Sequence, residues 1–277
     1  MSDAGNTLTL IDSHTHLDQY DAAELPALLR RAAGAGVRAV ITAGVTIESS
    51  LQCVRLTERY PGTVWAGVGV HPMDLSGPLS EADIERLRAL AAAPGVVCIS
   101  EIGLDWMKGR VSRAAQEQAF RAQLRLAVEL RLPVIFHNRE AGMEPLRIIA
   151  EETGGAVPVV AHYFQGPEDY ALACLEQGVR LSLAKPLLRL PDLQQIIADH
   201  VPLESIVLET DAFPQPYKKN RAKWTEPQDL PLVAQRVADL KGVSMAEVAA
   251  ATTRAVEVIL GRDIVEAAPP LSLESLE

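Results

Sequence analysis

Aromatic side chains are scarce: Phe, Trp and Tyr together make up 4% of the 277 residues. Antiparallel sandwiches draw on aromatic and β-branched residues, so this scarcity argues against one. Apolar residues still reach 48%, mostly as Ala, Leu and Val, which suits helices packed on aliphatic strands around a sizeable core. Cysteine is also rare. Cys53, Cys98 and Cys174 have no paired or C-x-x-C spacing and read as buried thiols in a reducing, cytoplasmic setting. Positive charge is short as well, since 26 basic against 36 acidic residues leave a net charge of −10. That balance argues against tight, non-specific coating of DNA, although bound divalent cations can reverse the field inside a cleft. No apolar run approaches the length of a membrane span, and Met1-Ser2-Asp3-Ala4-Gly5 lacks the basic start of a leader. A soluble protein with no membrane partner is expected.

What is present is a rhythm. Short β-branched runs fall at 8–12, 39–43, 64–70, 96–100, 133–136, 158–161, 180–183 and 206–210. Amphipathic helical patterns separate them, and two more follow the last, near 227–240 and 244–260. In the segment starting at Arg113, Ala115, Ala119, Leu124, Leu126 and Leu130 alternate with Arg, Gln and Glu, and Leu132-Pro133 stops the helix. Ser244-Met245-Ala246-Glu247 has capping-box spacing. Apolar strands alternating with helices imply a parallel sheet covered on both faces. Eight such units close into an α/β fold of the (β/α)₈ TIM-barrel type, with an open doubly wound sheet as the alternative. A single barrel domain over residues 1–262 and a loosely ordered tail over 263–277, with Pro269-Pro270, are expected.

Five of the six histidines lie at carboxyl ends of these strands, where barrel enzymes build their sites. His14 and His16 follow the first strand, His71 the third, His137 ends the fifth and His162 the sixth. Glu101 and Asp211 end the fourth and eighth. One histidine at a strand end means little, but convergence from several strands points to a metal site. Residues two apart on an extended chain share a face, so His14 and His16 can serve one cation. Glu101 has two oxygens and can bridge to a second ion held by His137 and His162. Asp211 is placed to bind the first ion and accept a proton from water, which makes Asp211 and Glu101 the candidate catalytic carboxylates. Imidazole with carboxylate suits two zinc ions first, with manganese as an alternative and magnesium a poorer match.

The segments carrying these residues are Ile11-Asp12-Ser13-His14-Thr15-His16-Leu17-Asp18, Gly69-Val70-His71-Pro72, Glu101-Ile102-Gly103-Leu104-Asp105, Pro133 to Arg139, His162-Tyr163-Phe164-Gln165-Gly166 and Glu209-Thr210-Asp211-Ala212. Together and in this order they resemble the TatD family of metal-dependent hydrolases, among the amidohydrolase-like barrels. The resemblance runs from about residue 8 to 260. It implies a binuclear site of His14, His16, Glu101, His137, His162 and Asp211. It also implies hydrolysis of phosphodiester bonds, typically as a deoxyribonuclease of the 3′–5′ exonuclease type acting through a metal-bound hydroxide. The expected partner is a DNA end or a small phosphodiester. By the same resemblance His71 and Arg139 lie near the scissile phosphate.

Several positions depart from the family's usual pattern. Tyr163 and Gln165 stand where Cys and Ser are common, Thr225-Glu226-Pro227 replaces Asn-Glu-Pro, and Ala255 replaces a frequent Asn. None removes a metal ligand; they bear on the substrate. The loop Lys218-Lys219-Asn220-Arg221-Ala222-Lys223-Trp224 joins positive charge to an aromatic, which makes Lys218, Lys219 and Arg221 candidates for gripping a phosphate backbone. Its bland alternative is a solvated loop balancing nearby acids. Arg139 has a structural alternative too, a salt bridge to a neighbouring helix. Asp105 is expected either to support the site or to touch substrate. An ester, lactone or amide hydrolase on the same machinery is the second functional reading, and a non-catalytic metal-retaining protein the third. The third predicts a missing ligand, and none is missing.

Overall fold

Each aliphatic run forms a strand, and each strand is followed by chain that returns to lay the next one parallel beside it. The computed structural model describes residues 8–107 and 111–265. The strands are β1 (Leu10–Thr15), β2 (Val37–Ala43), β3 (Val64–Val68), β4 (Val96–Asp105), β5 (Val134–Arg139), β6 (Val159–Ala161), β7 (Arg180–Leu183) and β8 (Ile206–Leu208). They pair in chain order, all parallel. The seam between β8 and β1 is closed near the carboxyl ends: Asp211 N–H donates to His14 O at 3.0 Å and His16 N–H to Ala212 O at 2.8 Å. The fold is a (β/α)₈ barrel.

Helices α1 (Leu25–Gly34), α2 (Ile47–Arg59), α3 (Glu81–Ala91), α4 (Arg113–Leu130), α5 (Glu144–Thr153), α6 (Glu168–Glu176), α7 (Pro191–His200), α8 (Leu230–Lys241) and α9 (Met245–Leu260) accompany the sheet. The apolar stripe of α4 buries Ala115, Ala119, Phe120, Leu124, Leu126 and Ala127. Phe120 packs against Phe136 of β5, and burying a ring of that size stabilises the fold by roughly 1.5–3 kcal/mol. Helix α9 starts at the expected capping box: Ser244 Oγ accepts from Glu247 N–H, and the Glu247 carboxylate accepts from Ser244 N–H at 2.8 Å. Its Ala255, Val256 and Ile259 join Ile11, Ile41, Val97, Ile135, Val160 and Val207 in a second apolar cluster. These strand residues come from the early parts of their strands, so α9 plugs the amino-terminal mouth and leaves the carboxyl mouth open.

The strand edges differ from expectation in an informative way. β1 continues past Asp12 to Thr15 and β4 past Ser100 to Asp105, while β3 stops at Val68 and β8 at Leu208. Hydrophobic patterning ends where the barrel interior turns polar, but strand pairing resumes beyond His14 and Glu101, at Thr15 and from Ile102. Of the expected tail, Ile264 is fully buried in the cluster with α9, and residues 266–277 lie outside the described residues. Cys53, Cys98 and Cys174 are all buried and free. Among the described residues, no helix is long and apolar enough to cross a membrane.

Candidate metal centre

Glu101 lies at the middle of the open mouth because its strand is irregular there. The ladder between β4 and β5 shifts between Ile99 and Ile102, and Glu101 N–H instead donates to Gly44 O at 2.8 Å. The carboxylate sorts the surrounding imidazoles into two sets. His14 Nε2 and His16 Nε2 each lie 3.5 Å from Oε2. His137 Nδ1 at 3.2 Å, His71 Nε2 at 3.4 Å and His162 Nε2 at 3.6 Å face Oε1. Asp211 follows β8 and places Oδ1 3.3 Å from His16 Nε2.

Outer hydrogen bonds fix which ring nitrogen of each histidine carries the proton. His16 Nδ1 donates to Ala43 O at 3.0 Å, which leaves Nε2 as a lone pair facing the cluster. His162 Nδ1 donates to the buried Glu209 carboxylate at 2.9 Å, again leaving Nε2 free. His137 is turned round: Nε2 bonds to Asp105 Oδ2 at 3.0 Å and Nδ1 faces Glu101. His71 Nδ1 accepts from Met73 N–H at 3.2 Å and lies 3.4 Å from Asp74 Oδ2, while Nε2 faces Glu101. Distance alone groups His71 with Glu101 and His137 as possible ligands.

The cluster draws cations. Burial alone would push the Glu101 carboxyl up, but His71 and His162 prevail and hold it well below the usual range. Burial would lower His16 and His162, yet Asp211 and Glu101 hold the first up to about 9, and Glu209 and Glu101 the second up to about 10. His14 is fully buried with neither ring nitrogen hydrogen-bonded among the described residues. Such orphans are rare in folded proteins, and a neutral imidazole nitrogen beside a carboxylate is a donor set for a divalent ion. The ligand atoms of His14, His16 and Glu101, and those of His14, His162 and Asp211, lie within 4.8 Å of one another in each group. The residues therefore fit a metal site.

Residues 11–261 match the family described as TatD related DNase. The chain belongs to this family. It is 31% identical over 250 residues to the uncharacterized metal-dependent hydrolase YabD of Bacillus subtilis, covering 88% of this chain and 96% of that protein. It is 34% identical over 247 residues to the 3′-5′ ssDNA/RNA exonuclease TatD of Citrobacter rodentium, covering 84% and 90%. Among solved structures, the TatD homologue YJJV of Escherichia coli superposes with a TM-score of 0.78 at 25% identity, covering 91% of this chain and 98% of that one. A TatD family hydrolase of Entamoeba histolytica shares the fold, with a TM-score of 0.79 at 19% identity over 92% and 99%. This TatD-family chain is a metal-dependent hydrolase.

The remaining expected residues separate into those at the centre and those apart from it. A cavity of about 930 Å³ opens over the cluster, lined by His71, Arg139, Met143, Tyr163, Asp211 and Phe213 among others. Arg139 donates from Nε to Asp105 Oδ2 at 2.7 Å and pairs through Nη2, while Nη1 makes no such bond among the described residues. Its salt bridge thus runs to β4 and not to a helix. Asp105 is fully buried and holds both His137 and Arg139. Lys218, Lys219 and Arg221 do not line the cavity. Arg221 pairs with Glu24 at 2.8 Å and Glu226 at 2.6 Å and lies 4.2 Å over the Trp224 ring, and Lys218 Nζ bonds to Gln215 Oε1 at 2.6 Å. Two carboxylates escaped the sequence reading. Glu209 orients His162, and Asp12 accepts from Thr210 N–H at 2.9 Å across the closing seam. Each stands two residues before an expected ligand, Asp211 and His14, and that same-face spacing was the available signal.

Proposed function

We propose that this chain is a two-ion phosphodiesterase that removes nucleotides from the 3′ ends of single-stranded nucleic acid. The observation that carries the reading is the division of imidazoles between the two oxygens of Glu101. His14, His16 and Asp211 would hold one ion, His137 and His162 the other, with Glu101 shared. Zinc suits this imidazole-rich set best. Divalent ions bound there supply Lewis acidity, offsetting charge on the phosphoryl group and bringing the pKa of water towards about 7.

The chain's own groups then have distinct tasks. Asp211 faces the cavity with its side chain 20% exposed, and can take the proton of the attacking water as its oxygen bonds to phosphorus, while the P–O bond to the 3′ oxygen of the penultimate nucleotide breaks and that oxygen leaves as the new 3′ hydroxyl, protonated from solvent. Arg139 presents Nη1 to a non-bridging phosphate oxygen, while Asp105 keeps the guanidinium from swinging away. His71 Nε2 lies 3.4 Å from Glu101 Oε1, where it can help hold that carboxylate in its shared orientation.

The test is hydrolysis of 5′-labelled single-stranded DNA by metal-stripped protein refilled with zinc, manganese or magnesium. A ladder shortening from the 3′ end, dependent on metal and absent in Asp211→Ala, is expected. Absence of cleavage under every metal, with the protein loaded, would overturn the nuclease reading and leave an ester, lactone or amide substrate.

A further inference from the structure

Asp211 has a left-handed backbone, φ 52°, in which an L side chain crowds its own main chain. Such a conformation persists only where the surroundings over-determine it. The ladder between β7 and β8 reaches as far as Glu209, whose N–H donates to Leu183 O at 3.0 Å. Thr210 then turns to a side chain in place of a strand carbonyl. Its N–H donates to Asp12 Oδ1 at 2.9 Å, and its Oγ1 donates to Asp12 Oδ2. Asp211 N–H goes to His14 O at 3.0 Å, and Ala212 O accepts from His16 N–H at 2.8 Å. Asp211 is therefore held on both sides against the segment that carries His14 and His16. That segment is itself irregular, because the register of β1 against β2 shifts between Asp12 and Thr15. Asp12 Oδ1 also accepts from His14 N–H at 3.4 Å, so one carboxylate touches the backbone beside two expected ligands. Asp12 is fully buried and Thr210 is 3% exposed, so bulk water is not at hand to replace a lost bond.

We propose that Asp12 and Thr210 are positioning residues, a latch that keeps Asp211 in the backbone conformation from which its carboxylate serves the ion held by His14 and His16. The inference rests on the reading of Asp211 as an ion ligand and proton acceptor, and adds what aims it. In the latched state Asp211 Oδ1 lies 3.3 Å from His16 Nε2. Relaxation of Asp211 to the extended conformation that L-residues favour would carry its Cβ, and the carboxylate with it, in another direction. The two bonds of the latch differ in what they ask of the sequence. Any residue but proline can supply the amide at 210, whereas only threonine or serine supplies this hydroxyl. The hydroxyl ties the second oxygen of Asp12 and so fixes the plane of the carboxylate that grips the amide. Removing it leaves the amide bond alone to hold a strained turn beside the metal site.

The experiment is a double-mutant cycle read as zinc affinity, by competition of the loaded protein against a chelator at fixed pH. It compares wild type, Thr210→Val, Asp211→Ala and the protein carrying both changes. Valine has the shape of threonine without the hydroxyl; Thr210→Ala is the second probe of the same loss, and Thr210→Ser is the conservative rescue. Thr210→Val is expected to weaken zinc binding about tenfold in the wild-type background. With Asp211 already alanine the same change should cost less than about twofold, because the latch has nothing left to aim. Thr210→Ser should keep wild-type affinity. On a single-stranded oligonucleotide at saturating zinc, Thr210→Val should lower kcat about tenfold and leave KM unchanged, since a misaimed proton acceptor slows the chemical step and not binding. Equal losses of affinity in both backgrounds would mean that the bond serves the barrel seam alone and would overturn the latch. Wild-type affinity in both Thr210→Val and Thr210→Ala would overturn it too. Asp211→Ala with wild-type affinity would overturn the ligand reading and the latch with it. The cycle uses no nucleic acid, so a wild-type protein that cleaves no strand would overturn the nuclease reading alone.

Discussion

Replacing Glu209 removes a fully buried carboxylate that touches no substrate yet governs one of the expected ligands. His162 Nδ1 lies 2.9 Å from Oε1 and 3.1 Å from Oε2, Oε1 accepts from Tyr163 N–H at 2.8 Å, and Oε2 accepts from Ser182 Oγ. In Glu209→Gln the amide oxygen can keep the bonds from His162 and Tyr163. The amide nitrogen can donate to Ser182, whose hydroxyl turns to Ser13 at 3.2 Å. The tautomer of His162 survives and only the charge is lost. In Glu209→Ala nothing holds the proton on Nδ1, and the ring is free to protonate Nε2 and lose its lone pair. Losses of this kind cost 10- to 100-fold in metal affinity, so the expected weakening is about tenfold for Gln and about 100-fold for Ala, or about 1.4 and 2.7 kcal/mol. Competition of the loaded protein against a chelator at fixed pH reads both. Glu209→Ala binding metal as tightly as wild type, whatever its activity, would refute the reasoning.

Other consequences follow from particular contacts. Glu226 is 4% exposed and accepts from Arg31 at 2.8 and 2.9 Å and from Arg221, so Glu226→Gln should cost about 2 kcal/mol at neutral pH by chemical denaturation. Burial would raise its carboxyl, but Arg31 and Arg221 hold it below the ordinary Glu range. The stabilisation is then complete above the unfolded value and fades as pH falls through the lowered folded value, so wild type and variant should converge in acid; a gap constant with pH would contradict the pairing. Gly103 has φ +140°, and a Cβ there would meet His137 O at 2.1 Å. Gly103→Ala should therefore cost about 3 kcal/mol or more and disturb the β5 strand that carries His137; an unchanged denaturation midpoint would contradict this.

The barrel was legible in the sequence because eight aliphatic runs alternate with helical patterns, and burial alone makes that rhythm. The site was legible because His14, His16, His137 and His162 interrupt or end those runs with side chains a core would not choose. What stayed hidden depends on closure. Thr210 N–H bonds to Asp12, 198 residues away, and Tyr163 N–H to Glu209 across 46. No local pattern announces such pairs. The engagement of Arg221 by Glu24 and Glu226 was invisible for the same reason, since Glu24 lies 197 positions earlier in the chain. Strand ends were misjudged where hydrogen bonding outlasts hydrophobicity, as at Glu101, because a polar mouth still needs its backbone paired.

The most direct test of the shared-carboxylate site is metal content per chain, by mass spectrometry, for wild type and Glu101→Ala after equilibration with zinc and removal of the free ion. Two ions per wild-type chain and loss of both in the variant are predicted, since each set of imidazoles faces a different oxygen of the same side chain. Two ions retained in Glu101→Ala would contradict the account at its centre.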